Sequence, residues 1–146
     1  MEVAAGVSVA DVAGQIGSGL ARAAVAARLN GKLVDLSTVV SGSGPNEIEI
    51  LTDKSDDALR ILRHSTAHVM AAAVRRLYGA GVKFGIGPAI DDGFYYDFDL
   101  PQRIADEDLA RIEAEMAKIV AEAAPFVREE VSQEAATSLM QAAGQG

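Results

Sequence analysis

Apolar residues recur at helical spacing over residues 56–78, where Leu59, Leu62, Val69, Met70, Ala73 and Leu77 form one stripe and predict a single amphipathic helix. The sequence before it reads differently. Ser8 is placed to cap a short helix starting at Val9, with Asp11 at the third helical position, and the helix is expected to end near Gly17 or Gly19. Residues 24–29 and 32–35 read as two strands joined by Asn30-Gly31, the strongest short hairpin signal in the chain. After a Ser/Gly/Pro/Asn loop over 41–46, residues 47–52 alternate polar and apolar, which predicts a strand with one face on a core and one in water. A small mixed sheet with a helix laid across it follows from this order.

Beyond the long helix, Gly79-Ala80-Gly81 is a stop signal. Residues 82–86 and 94–100 then read as a hairpin around Asp91-Asp92-Gly93. Period two puts Phe94, Tyr96 and Phe98 on one face of the second strand and Tyr95, Asp97 and Asp99 on the other. Asp106 is the expected cap of a helix running to about residue 124, with Leu109, Ile112, Met116, Ile119 and Val120 buried and Pro125 ending it. A strand over 126–131 and a Ser132-capped helix over 133–143, anchored by Leu139 and Met140, complete the prediction. The fold class is α+β, with a polar junction at 53–57 dividing residues 1–53 from 54–146.

Composition narrows the function. The 146 residues are 49% hydrophobic with a mean hydropathy of +0.15, which excludes a disordered chain. There is no cysteine, so no disulfide, thiolate nucleophile or cysteine-ligated zinc is available. No apolar run approaches the roughly 18 residues of a membrane span, and no basic segment leads into an apolar one at the N-terminus. A soluble cytoplasmic protein with no membrane partner is expected. Residues 1–90 carry nine basic and eight acidic side chains, residues 91–146 four and thirteen, so net charges of +1 and −9 give the total of −8. An acidic C-terminal part repels a phosphate backbone, and RNA contacts would have to come mainly from elsewhere in a larger protein.

The chemistry concentrates at His64-Ser65-Thr66-Ala67-His68. Histidines four apart on a helix lie side by side, and here they fall opposite the apolar stripe, beside Ala67, Ala71, Ala72 and Arg75. Such a pair suits metal binding, substrate orientation or proton transfer, and equally two histidines on a solvated face. Two ligands do not complete a zinc site, and Asp97 or Asp99 would join only if their strand crossed the helix. Hydrolysis uses the pair better, since one neutral imidazole deprotonates water while the other serves the leaving group. Arg75, on the same side of the helix, is a candidate substrate-binding cation, and a tyrosine hydroxyl at the edge of the aromatic layer suits a substrate hydroxyl or carbonyl.

Several segments carry a resemblance: Gly17-Ser18-Gly19-Leu20-Ala21, Val25-Ala26, Asn30-Gly31-Lys32-Leu33-Val34-Asp35 and Arg63-His64-Ser65-Thr66-Ala67-His68. Ile86-Gly87-Pro88-Ala89-Ile90-Asp91-Asp92-Gly93-Phe94-Tyr95-Tyr96-Asp97 and Pro125-Phe126-Val127-Arg128-Glu129-Glu130-Val131-Ser132 extend it. In this collinear order the chain resembles the N-terminal region of bacterial threonyl-tRNA synthetase. The resemblance implies a TGS domain, a ubiquitin-like β-grasp module, over residues 1–53, shortened by a strand and turn at its start. It implies the first part of an editing domain over 54–146, which in that family hydrolyses mischarged seryl-tRNA.

By motif, His64 and His68 correspond to half of the editing centre and Tyr96 to its substrate-contacting tyrosine. The family's later Cys-x-x-x-His segment is not in this sequence, nor are the aminoacylation and anticodon-binding domains. ATP, magnesium and zinc would belong to the aminoacylation domain, so this chain is expected to hold no cofactor and not to charge or edit tRNA alone. Implied partners are tRNA and the remaining synthetase domains, with a further protein or a second copy at the shortened sheet edge. The alternatives are a stand-alone, non-catalytic TGS-type module binding RNA, ligand or protein, and a regulatory extension on a kinase-like enzyme.

Overall fold

A computed structural model describes residues 6–41, 44–124, 127 and 129–145. The chain divides into two compact units, residues 1–62 and 63–146. It is a mixed α+β protein, with a strand-rich N-terminal region followed by longer helices.

In the first unit, α1 (Val9–Ile16) carries the predicted capping box, with the Ser8 hydroxyl accepting from the Asp11 amide and the Asp11 carboxylate accepting from the Ser8 amide. These bonds hold the Asp11 carboxyl below the usual carboxylate range. The helix ends at Gly17, as expected. Gly17 separates α1 from a second short helix, α2 (Ser18–Ala23), that the sequence pattern did not announce. Strands β1 (Ala24–Leu29), β2 (Lys32–Val34) and β3 (Ile48–Thr52) form a sheet in the order β2-β1-β3. Both pairings are antiparallel, so among the described residues this sheet is not the mixed one expected. The hairpin turns where it should: Asn30 and Gly31 take φ of 51° and 78°, the left-handed geometry that a two-residue I′ turn requires.

The sheet is covered on one face and partly on the other. Val9, Val12 and Val40 pack with Ala27 on one side, joined by Leu29, Ile48 and Ile50. Ala26 and Leu51 pack with Ala58 and Ile61, from the start of α3 (Asp56–Tyr78), on the other. Strand β3 keeps the predicted alternation, with Glu49 in water on this second face, and the start of α3 covers only its Leu51. Ser55 caps α3 by accepting from the Ala58 amide, and Arg28 of β1 pairs with Asp57 in its first turn.

In the second unit, the continuation of α3 packs on α4 (Asp106–Ala121) and on a long hairpin. Ala73, Val74, Val82 and Ile112 are buried, with Met70, Leu77, Phe84, Phe98 and Met116 around them. The buried stripe of α3 matches the expected one in part: Ala73 is buried with Met70 and Leu77 packed around it, but Ala58, Ala67, Ala71 and Val74 are buried too, whereas Leu59 and Leu62 are each 38% exposed. Small side chains let neighbouring backbone come close, so alanines rather than leucines mark the contact line. The hairpin is bulged: in its middle the Gly85 amide donates to the Asp97 carbonyl and the Asp97 amide to the Ile86 carbonyl. Strands β4 (Lys83–Phe84) and β7 (Phe98–Asp99) pair at its base, and β5 (Ala89–Ile90) and β6 (Gly93–Phe94) at its tip. The first strand carries one extra residue between these pairs.

Helix α4 starts one residue earlier in register than Asp106 would set as a cap. Ala105 is the cap residue, and the Asp108 carboxylate accepts its amide. Leu109 and Val120 are exposed, which narrows the buried stripe to Ile112, Met116 and Ile119. Helix α5 (Gln133–Ala142) is capped by Ser132 as expected, but Leu139 and Met140 are more than half exposed and do not anchor it. Its C-terminal end is tied instead by Gln145, whose side-chain amide accepts from the Phe84 amide and donates to the Val82 carbonyl. The strand expected over 126–131 falls partly outside the described residues, and residues 129–131 carry no strand. No helix among the described residues is long and apolar enough to cross a membrane.

Candidate functional site

The i, i+4 spacing on α3 brings His64 and His68 into direct contact. Their Nε2 atoms are 3.2 Å apart and their ring centroids 4.6 Å apart at an interplanar angle of 82°. A hydrogen bond between two Nε2 atoms fixes opposite tautomers in the neutral pair. The donating ring is left with an unprotonated Nδ1, and the accepting ring with a protonated one. The couple thus offers one base and one acid connected by a single shared proton. Burial, and then the charge of His64, lower the His68 pKa below the ordinary histidine value of 6.5, so that His68 is uncharged near neutral pH.

Tyr96 joins the pair from the hairpin. Its ring stands edge-on to His68 at 6.0 Å, stacks on Phe98 at 5.1 Å and 17°, and meets the edge of Phe84 at 6.0 Å. Predicted alternation holds along this strand: Phe94, Tyr96 and Phe98 are half-buried, while Tyr95, Asp97 and Asp99 are exposed. The two aspartates do not complete a metal site, and among the described residues no group of three or more His, Cys, Asp or Glu could hold an ion.

Arg75 is not gathered with these rings. It lies seven residues beyond His68, and its guanidinium donates at 3.5 Å to the Ala143 carbonyl. The neighbouring Arg76 is held more firmly, by two bonds of 2.6 and 2.7 Å to the Glu122 carboxylate and a longer one to Glu115. The Glu122 carboxylate raises the Arg76 pKa, and Arg76 in turn lowers that of Glu122.

Above this clamp α3 and the end of α4 enclose a cavity of about 380 Å³, lined by His68, Val69, Ala72, Ile119, Val120, Ala123 and Ala124. Of the alanines placed beside the histidines by sequence, Ala72 faces this cavity, whereas Ala67 and Ala71 are buried. The α4 wall was missing from the sequence reading, because Ile119 and Val120 read there only as core. So was Gly87, over which the Tyr96 ring lies; the glycines at 85 and 87, alternating within a strand, were the available signal.

The TGS domain family matches residues 1–52. Over 139 residues the chain is 53% identical to threonine–tRNA ligase from Listeria welshimeri and 52% identical to that from Rubrobacter xylanophilus, in each case 95% of this chain and 21% of the relative. With the threonine–tRNA ligase of Pelobacter propionicus it shares 47% identity over 144 residues, 99% of this chain and 22% of the relative. The chain thus spans about a fifth of the length of the curated relatives it matches.

Proposed function

We propose, from the premise that the chain belongs with the N-terminal, TGS-containing part of the bacterial threonine–tRNA ligases, that His64, His68 and Tyr96 contribute to hydrolytic editing of seryl-tRNA. The single observation that carries this reading is the 3.2 Å contact between the two Nε2 atoms, with Tyr96 edge-on beside it. In the reaction, water attacks the ester carbonyl of the seryl group while the unprotonated Nδ1 of the donating imidazole takes its proton. That ring's Nε2 proton passes to the partner Nε2, and the partner's Nδ1 proton goes to the departing ribose oxygen. Serine and uncharged tRNA result, and each imidazole ends in the opposite tautomer. The Tyr96 hydroxyl supplies a hydrogen bond to the substrate.

A second hydrolytic site is physically reasonable for such a ligase. Serine lacks one methyl group of threonine, and one methyl in a binding pocket is worth only about 1–3 kcal/mol, too little for high fidelity. Residues 1–52 act in this reading as a β-grasp TGS module, which the β2-β1-β3 sheet crossed by α1 supports. With a net charge of −8, tRNA phosphates are met mostly by the rest of the enzyme, in the cytoplasm, and ATP, magnesium and zinc are used there. Arg75 enters as a substrate contact that first gives up its long bond to Ala143.

The test is seryl-tRNA hydrolysis by a full-length ligase bearing these residues. His64→Ala/His68→Ala is expected to lower hydrolysis by about 10²- to 10⁴-fold with folding and threonylation retained. Unchanged hydrolysis overturns the reading. Offered to the 146-residue chain alone, seryl-tRNA that is bound saturably without turnover points to a binding module.

A further inference from the structure

We infer that Gly87 is a positioning residue: its missing side chain is the seat that keeps the Tyr96 ring edge-on to His68, and the catalytic consequence rests on the editing reading above. A Cβ added at Gly87 would lie 2.3 Å from Cδ2, 2.4 Å from Cε2 and 2.9 Å from Cγ of Tyr96. Carbon atoms do not approach so closely, so either the ring or the strand must move. The ring has little freedom to do so. It is stacked on Phe98, braced by the edge of Phe84, and bounded by His68 on a third side.

The three nearest atoms to that Cβ all belong to one ring, and the backbone of Gly87 is not in the left-handed region that glycine alone favours. Gly31 is the opposite case, with φ of +78° and open space where its Cβ would be. One glycine is required by its torsion angle and the other by an aromatic ring. Gly85 contributes to the same closeness, since a Cβ there would come within 2.9 Å of the Asp97 Cβ. Two glycines in alternate positions thin the first strand of the hairpin where it meets Asp97 and Tyr96, and the ring sinks onto the strand toward the histidines.

The direct readout is the nuclear Overhauser effect between His68 and Tyr96 ring protons in the 146-residue chain. Gly87→Ala is expected to weaken it severalfold in the folded protein; full intensity overturns the proposal. Should Gly87→Ala fail to fold, Gly87→Ala/Tyr96→Ala decides. Recovery of folding supports the ring as the obstacle, and equal failure assigns the glycine to the backbone and overturns the proposal.

In a full-length ligase bearing these residues, Gly87→Ala is expected to lower kcat for seryl-tRNA hydrolysis about 100-fold with KM little changed, as a displaced reacting group would, while Gly31→Ala leaves it within about twofold. If His64→Ala/His68→Ala leaves hydrolysis intact, the editing reading fails while the proton–proton contact still tests Gly87. If the histidine variant is inactive but Gly87→Ala keeps wild-type kcat, the positioning role alone is overturned.

Discussion

Between Ala24 and Val34 the chain makes a hairpin whose residue pairs stay in register up to the Asn30-Gly31 turn, whereas the hairpin over residues 83–99 is regular only at its base and its tip and changes register between them. The first is held by its own ladder, by β3 on its other side and by apolar residues on both faces. The second is bulged in its middle, where the Asp97 amide and carbonyl bond to Ile86 and Gly85 and the extra residue shifts the register, and it rests on Ile112, Val74 and Val82 beneath it and on the Gln145 amide at its edge. Regular pairing suits a scaffold. A bulged, glycine-thinned strand is the means by which a large ring comes close to a neighbouring helix, and side-chain packing then adds to the weaker ladder.

The sharpest way to break this contrast is to remove the support. Ile112 is the buried residue of α4, 6% exposed, in the cluster under the second hairpin. Ile112→Ala leaves a cavity there and is expected to cost about 3 kcal/mol. Urea unfolding followed by amide exchange checks it: protection over 83–99 should fall more than protection over 24–34. Equal losses would mean that the second hairpin is no more dependent on side-chain packing than the first.

The next effect tests the first hairpin at its turn. Gly31 has φ of +78° and no side-chain neighbour, so Gly31→Ala pays only for left-handed geometry, about 1 kcal/mol. Thermal unfolding should register that loss, and a Gly31→Asn variant should recover part of it, because asparagine tolerates the left-handed region better than alanine.

These two positions also show what a sequence discloses. Asn30-Gly31 and the Ser8–Asp11 box were legible because their chemistry is local: the residues that require the geometry are the residues that adopt it. Helix α3 was legible from end to end for the same reason. Its buried face was legible only in part: Met70, Ala73 and Leu77 lie in the core as their spacing predicts, but Ala67 and Ala71 are buried by what approaches them, and nothing in their own side chains announces that. Leu139 and Met140 failed in the opposite sense: apolar residues on a helix do not anchor it unless another surface meets them.

The candidate site divides likewise. Contact between His64 and His68 follows from spacing on one helix, while the approach of Tyr96 requires a hairpin, and the reason for Gly87 exists only once that ring is in place. Arg75 shares a helix with the histidines, yet its guanidinium reaches the Ala143 carbonyl.

A smaller effect concerns the charge state of the site. The His68 pKa lies below its ordinary value because burial and His64 oppose a second charge, so the unfolded chain binds a proton that the folded one resists. Stability from this source is present above the ordinary histidine value of 6.5 and is lost as pH falls below it. The Tm should therefore decline modestly between about pH 7.5 and 5.5, and His68→Gln should flatten that decline. Glu115, Glu122 and Asp108, whose pKa values are lowered by their hydrogen bonds, act in a separate window below 4.5. A His68→Gln profile as steep as the original would assign the decline to other groups.

The smallest expected effect lies at α5, where the sequence had placed two anchors. Leu139 and Met140 are 54% and 53% exposed, so truncating either removes little buried surface. Leu139→Ala should change stability by less than about 0.5 kcal/mol, and alanine's helix propensity offsets part even of that. Gln145→Ala serves as the contrast, because its amide supplies an acceptor to the Phe84 amide and a donor to the Val82 carbonyl, which are left to solvent when it is removed. Denaturation of the two variants side by side checks the ranking. A larger loss for Leu139→Ala would return the anchoring of α5 to its apolar face and take the Gln145 clip out of the account of the second hairpin.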